Sequence, residues 1–231
     1  MLRYKFLLFD LDDTIFDFQT SEQLALSQLF QDLKIPLTPT LRQRYHHFNQ
    51  QLWQMYERSE ITRDELLLAR FPLFFKKMGL PLHGQNPGQI YRKALAAGHQ
   101  LLPGALGMLT DLSKSYRIFA VTNGIAQTQR ERLRAAEIAG YFDDVFISEE
   151  IGHQKPKKAF FDYVFNHIPK FDAKKTVVIG DSLTSDILGG VNARVDTVWF
   201  NPNFLPNRTK ISPVYQISAP DQLKKLLLAS E

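Results

Sequence analysis

Phe6-Leu7-Leu8-Phe9-Asp10-Leu11-Asp12-Asp13-Thr14 joins a short apolar run to three carboxylates. Four apolar residues in a row are consistent with a buried strand. The carboxylates arrive where that strand must end. Asp10 and Asp12 are two residues apart, and alternation along an extended chain puts their side chains on the same side. Clustered carboxylates repel and are costly to bury. A hard divalent cation such as Mg2+ relieves that cost, because it prefers oxygen ligands. An aspartate in such a place can also act as a covalent nucleophile. The plainer alternative is a solvated acidic turn whose Asp caps the next helix.

Working outward, Ile118–Thr122, Val145–Ser148 and Thr176–Gly180 also read as buried strands, and Thr197–Phe200 follows as a fifth. Helix-length stretches lie between the later ones, at Gln127–Glu137, Lys157–His167 and Ser185–Asn192. Strands alternating with helices imply an α/β fold with a doubly wound parallel sheet covered on both faces. Ligands of such sheets bind at the carboxyl ends of the strands.

Each of those ends carries polar residues. Thr122-Asn123-Gly124 offers a hydroxyl and backbone N–H groups suited to phosphate, or simply a capping turn. Lys155, followed by Pro156, offers a point charge that could reach back to the strand ends, or one more surface lysine. Gly180-Asp181-Ser182 adds a carboxylate, with Asp186 five residues beyond it, or an Asp/Ser helix cap. Taken together, the four ends suit phosphoryl transfer: a nucleophile, an acid/base, a metal and a cation for the phosphate.

The stretch from Phe16 to Leu101 has helical periodicity and no good strand. Four helices are expected there: one around Gln23–Leu33, one opened by Pro39 and reaching Glu57, one capped by Thr62 with Glu65 as a capping box, and one from Pro87 to about Gly98. Pro72 inside the third implies a kink or break. The expected organisation is therefore a core of residues 1–15 and 102–231 with a helical insert of residues 16–101, acting as a lid over the strand ends.

Composition narrows the classes of function. The chain has 231 residues, 44% hydrophobic and 23% charged, enough for a substantial core. It has no cysteine, which excludes disulfides, thiolate chemistry and Cys-based zinc sites and fits a reducing, cytoplasmic compartment. The net charge of +4 is spread over scattered pairs such as Lys76-Lys77 and Lys224-Lys225, without the basic stripe of a nucleic-acid binder. The apolar run before Asp10 is too short for a signal peptide, and no window approaches the roughly 18 apolar residues of a membrane span.

With these motifs in order, the chain resembles the haloacid dehalogenase (HAD) superfamily on its phosphatase branch, over nearly its whole length. The resemblance implies a Rossmann-like core with a helical cap after the first strand. It implies that Asp10 is the nucleophile forming an aspartyl-phosphate and Asp12 the general acid/base. Thr122, with Asn123 beside it, and Lys155 match the phosphate-holding positions. Mg2+ would be held by Asp10, the backbone carbonyl of Asp12 and Asp181, with Asp186 supporting that shell. Asp12 disfavours dehalogenation, which does not need that acid.

More narrowly, Phe9–Phe18, Thr122-Asn123-Gly124 with Gln129-Arg130-Glu131-Arg132-Leu133, Ile147–Gly152, Gly180–Leu183 with Asp186-Ile187, and Trp199-Phe200-Asn201-Pro202 resemble YjjG-type pyrimidine 5′-nucleotidases. That implies a nucleoside monophosphate as substrate. Ala193-Arg194-Val195 departs from the resemblance, which has glycine after the alanine, and a local change of turn is expected there. Sugar phosphatases and phosphomutases of the same superfamily are the alternatives. More remote are a receiver-like signalling domain and a non-catalytic phosphate binder.

Phe16, Phe18, Trp53, Tyr56 and Tyr91 are candidates to stack on a base, Phe18 foremost because it directly follows the catalytic loop. Packing of the cap helices is the competing role for all of them. His46, His47 and His99 have no acidic residue at metal-ligand spacing and are expected to be surface or packing residues.

Overall fold

The computed structural model describes residues 3–82 and 86–228. The chain divides into two compact units, Met1–Phe18 with His99–Glu231, and Gln19–Gly98.

The first unit is built on a parallel sheet. It opens with β1 (Phe6–Phe9). The second unit is helical: α1 (Phe18–Asp32), α2 (Pro39–Glu57), α3 (Arg63–Met78) and α4 (Pro87–Ala97). The chain then returns through α5 (Ala105–Leu112), β2 (Arg117–Thr122), α6 (Ala126–Ala135), β3 (Asp144–Ile147), α7 (Ser148–Ile151) and α8 (Lys158–His167). It ends with β4 (Thr176–Gly180), α9 (Leu188–Ala193), β5 (Asp196–Phe200), β6 (Tyr215–Ile217) and α10 (Pro220–Leu228).

The strand order is β3-β2-β1-β4-β5-β6, every pair parallel. The doubly wound sheet expected from the alternation of strands and helices is therefore present. β6 is an addition: it has three residues, of which only Ile217 is buried, too little apolar pattern to stand out. The period of two along β1 feeds two separate cores. Leu7 and Phe9 pack with Met108 and Leu109 of α5 and Leu223 of α10. Phe6 and Leu8 pack with Phe160, Phe161 and Val164 of α8. Burying each of these large side chains stabilises the fold by roughly 1.5–3 kcal/mol. β1 lies between β2 and β4, so the segments that leave all three strands start side by side.

Within the helical unit, the buried positions of α2 are Tyr45, Asn49, Leu52 and Tyr56, one face of a helix. Thr62 and Glu65 form the capping box, and Gly79 closes α3 in a left-handed conformation at φ 65°. α3 runs past Pro72 without the break that was one of the two outcomes expected there. Pro72 and Leu68, whose carbonyl loses its bond to the proline nitrogen, are both exposed, so water can satisfy that carbonyl. Tyr45, Phe71 and Phe74 pack ring against ring, and Tyr91 joins them.

Candidate active site

The site begins where β1 ends. The Asp10 N–H donates to the carbonyl of Ile179 (2.9 Å), which keeps the chain in the sheet for one more residue. The Asp10 side chain is buried beside Lys155. Lys155 Nζ donates to Asp10 Oδ1 (2.6 Å), Asp186 Oδ1 (2.7 Å) and the Val121 carbonyl (2.7 Å). An ammonium has three protons, and these three bonds use them all. Burial works against the lysine's charge, but the Asp10 and Asp186 carboxylates outweigh it and hold the ammonium well above its ordinary range.

Asn123 anchors the segment that carries this lysine. Its Oδ1 accepts from the Lys155 N–H (2.9 Å), and its Nδ2 donates to the Lys155 carbonyl (3.0 Å) and to Ser185 Oγ (3.3 Å). The Asn123 side chain is thus occupied in fixing Lys155 and the Ser185 turn. Thr122 Oγ1 accepts from the Gly124 N–H (3.0 Å) and from Gln129 Nε2 (3.1 Å). Both bonds are accepted, which leaves the hydroxyl hydrogen for an incoming anion.

Asp181 and Asp186 follow β4. Ligand oxygens of Asp10, Asp181 and Asp186 all lie within 4.8 Å of one another. Gly180 makes this possible: a Cβ there would sit 2.2 Å from Asp186 Oδ2. Asp186 Oδ2 also accepts from the Ser182 N–H (3.1 Å), and the Asp181 carbonyl accepts from Trp199 Nε1 (2.8 Å). Three carboxylates share one ammonium. Burial pushes the Asp10 carboxyl up, to about 8, with Lys155 pulling it down and Asp186 and Asp12 pushing it further up. Asp181 is pushed well above the carboxylate range by burial first, then by Asp10, Asp186 and Asp13. Hard oxygen donors carrying uncompensated negative charge are what a Mg2+-sized cation requires, so the donor set fits such an ion.

Asp12 has partners of its own. The strand ends before it, and its carboxylate does not join the Asp10 cluster. Gln129 Nε2 donates to Asp12 Oδ2 (2.7 Å), and Arg132 Nη1 pairs with Oδ1. Both partners sit on α6. No role was assigned to either from sequence, although a trace was present: Thr128, Gln129, Arg132 and Leu133 form the buried face of that helix, and three of the four are polar. A polar stripe on the sheet-facing side of a helix needs buried partners.

The remaining candidates are mostly packing residues. Phe16 and Tyr91 are fully buried, and Trp53 packs edge to face with Tyr56. Phe18 is half-buried, with its ring centroid 6.0 Å from the Arg132 guanidinium. His46 does have an acidic partner, Glu22, at 2.6 Å, brought in from 24 residues away. Local spacing gave no sign of it. His47 meets Gln51 (3.0 Å), and His99 is exposed.

A family model for haloacid dehalogenase-like hydrolases matches residues 7–200, and the chain belongs to that family. Its relatives place it among the phosphatases. It is 45% identical to the HAD-hydrolase YfnB of Bacillus subtilis over 98% of this chain and 97% of that one. It is 40% identical to the pyrimidine 5′-nucleotidase PynA of Streptococcus pneumoniae (93% and 91% covered). It is 31% identical to the pyrimidine 5′-nucleotidase YjjG of Escherichia coli (98% and 99% covered). A crystal structure of YfnB bound to magnesium superposes with a TM-score of 0.93, covering 98% of this chain and 99% of that one. The L-2-haloacid dehalogenase RSc1362, at 17% identity and a TM-score of 0.79, shares the fold.

Proposed function

We propose that this protein is a Mg2+-dependent 5′-nucleotidase that releases phosphate from pyrimidine nucleoside monophosphates through an aspartyl-phosphate. The observation that carries this reading is the buried Asp10 carboxylate, held by Lys155 at 2.6 Å beside Asp181 and Asp186. The magnesium in the YfnB structure and the activities of PynA and YjjG support the cation and the substrate class.

In the first step a carboxylate oxygen of Asp10 attacks phosphorus and the ester P–O bond breaks. Asp12 gives its proton to the departing nucleoside oxygen. In the second step Asp12, now a carboxylate, takes a proton from water. The resulting hydroxide attacks phosphorus, the bond to Asp10 breaks and inorganic phosphate leaves. The Thr122 hydroxyl and the Asn123 backbone N–H would hold phosphoryl oxygens, while the Lys155 ammonium, bonded to Asp10, would offset their charge. Asp10, Asp181 and the Asp12 carbonyl would hold Mg2+, with Asp186 behind them. When bound, the ion supplies positive charge that offsets both the carboxylate cluster and the phosphoryl oxygens.

None of these residues reads a base, so we assign substrate choice to the helical unit and treat residues 16–101 as a cap. A cytoplasmic location, where nucleoside monophosphates are made and consumed, belongs to the same reading.

The test is phosphate release from UMP, dUMP, dTMP, purine monophosphates and sugar phosphates, with and without Mg2+. Mg2+-dependent turnover led by the pyrimidine substrates is expected. Turnover confined to sugar phosphates would overturn the substrate assignment, and turnover indifferent to Mg2+ would overturn the cation.

A further inference from the structure

We infer that Arg132 and Gln129 are positioning residues for Asp12, and that together they hold the acid/base in place for leaving-group protonation. This rests on the phosphatase reading above and deepens it. The observations lie on α6 and the β1 loop. Arg132 is fully buried, although a buried guanidinium is costly unless paired. It pairs with Asp12, whose side chain keeps 29% of its surface open to solvent. The pair therefore joins an immobilised cation to a carboxylate with an accessible face.

Arg132 is itself fixed from two sides. Its Nη1 also donates to Gln129 Oε1 (3.1 Å), and its guanidinium lies 4.2 Å above the Phe16 ring. Such cation–π contact restrains a planar guanidinium while adding attraction. Phe16 in turn bridges back to Asp12 along the backbone, so ring, guanidinium and carboxylate form one closed loop.

Gln129 completes the arrangement. Its Nε2 reaches Asp12 Oδ2 and Thr122 Oγ1 together, tying the acid/base to the phosphate-side hydroxyl. Gly124 makes room for it, since a Cβ there would stand 2.4 Å from Gln129 Nε2. Both carboxylate oxygens of Asp12 thus have protein donors, and both donors belong to one helix turn. A carboxylate fixed at two points keeps one direction toward a leaving oxygen, and general acid–base catalysis depends on that geometry.

The consequence is a leaving-group signature. An aryl phosphate such as p-nitrophenyl phosphate departs as a stable anion and needs little protonation. An alkyl ester such as a nucleoside 5′-phosphate needs the proton. For each substrate, kcat/KM reports the steps up to leaving-group departure. In Arg132→Met, kcat/KM for the alkyl ester should fall by about 100-fold, and for the aryl ester by only a few-fold. KM should change little. Arg132→Lys, which keeps a cation, should recover part of the alkyl-ester loss.

Gln129→Met retains the ion pair and removes the second anchor. It serves if Arg132→Met does not fold, and should shift the alkyl-to-aryl ratio in the same direction by about 10-fold. A folded variant of either residue that loses both activities in equal proportion overturns the inference. Wild-type protein that turns over neither ester overturns the phosphatase reading instead, so the two failures are distinguishable.

Discussion

Each of the two units buries a charged network, and the two differ in charge balance. In the helical unit, Glu22 pairs with His46 and accepts from Asn49 Nδ2 at 2.8 Å. Asn49 Oδ1 accepts from Arg70 Nη1 at 3.2 Å, and the Arg70 guanidinium lies 4.7 Å over the Tyr91 ring. One carboxylate is matched by one guanidinium through a shared amide. In the sheet unit, one ammonium faces three carboxylates, and two of those carboxyls are held up against ionisation. A balanced network needs no added ion to offset its charge, and it ties helices together. An unbalanced one is energetically unfinished, and it is the arrangement expected where an ion and an anionic substrate are to bind.

Removing the cation of the sheet unit should have the largest effect. Lys155→Met leaves buried carboxylates without their partner, and about 3–5 kcal/mol of stability should be lost. Phosphate release should fall by about 1000-fold or more, because on the proposed reading the same ammonium orients Asp10 and offsets the phosphoryl charge. Denaturant melts and a phosphate assay measure the two losses. A mutant as stable as the wild type would remove the contrast between the networks.

pH sharpens it next. The Asp10 carboxyl is raised on folding, so the folded state binds a proton that the unfolded state has released. The stability this contributes is fully present below the ordinary Asp range and is lost as pH rises through about 8. Protein stripped of divalent ions should therefore melt progressively lower from about pH 5 to pH 8. Mg2+ should reverse that decline most strongly at the upper end. A melting temperature with the same pH slope in both conditions would count against a cation site at this cluster.

In the balanced network, Glu22→Gln should cost roughly 1–3 kcal/mol by weakening its bonds to His46 and Asn49. Hydrolysis of p-nitrophenyl phosphate, which asks nothing of a base-recognition site, should stay within a few-fold of wild type. A collapse of that activity in the folded variant would show that the network does more than join helices.

The smallest effect concerns Arg194, the C-cap of α9. Its backbone takes the left-handed conformation at φ 59°, which favours glycine. Arg194→Gly should stabilise the protein by about 1 kcal/mol without altering turnover. An unchanged or lowered melting temperature would mean that the arginine side chain offsets the strain.

The legibility of each feature follows the range of the forces behind it. β1 to β5 could be read because each is a local apolar run closed by polar residues, and α2 and α3 because Pro39, Thr62 and Gly79 mark their ends locally. Asp10, Lys155, Asp181 and Asp186 could be read because every one follows a strand of the same sheet. Asp12 could be read as a companion of Asp10, but its partners on α6 could not. The pairing of Asp12 with Arg132, 120 residues away, and of Glu22 with His46 depends on helix docking, which no local spacing encodes.

The most direct test of the central claim is to trap the phosphorylated protein. The enzyme would be mixed with a nucleoside monophosphate and Mg2+, quenched in acid within the first turnover and digested for mass spectrometry, with Asp10→Asn treated in parallel. The account predicts a phosphoryl group on the peptide containing Asp10, at Asp10 itself, and none in the variant. Turnover without any acid-stable adduct on that peptide, or with an adduct at another residue, would contradict it.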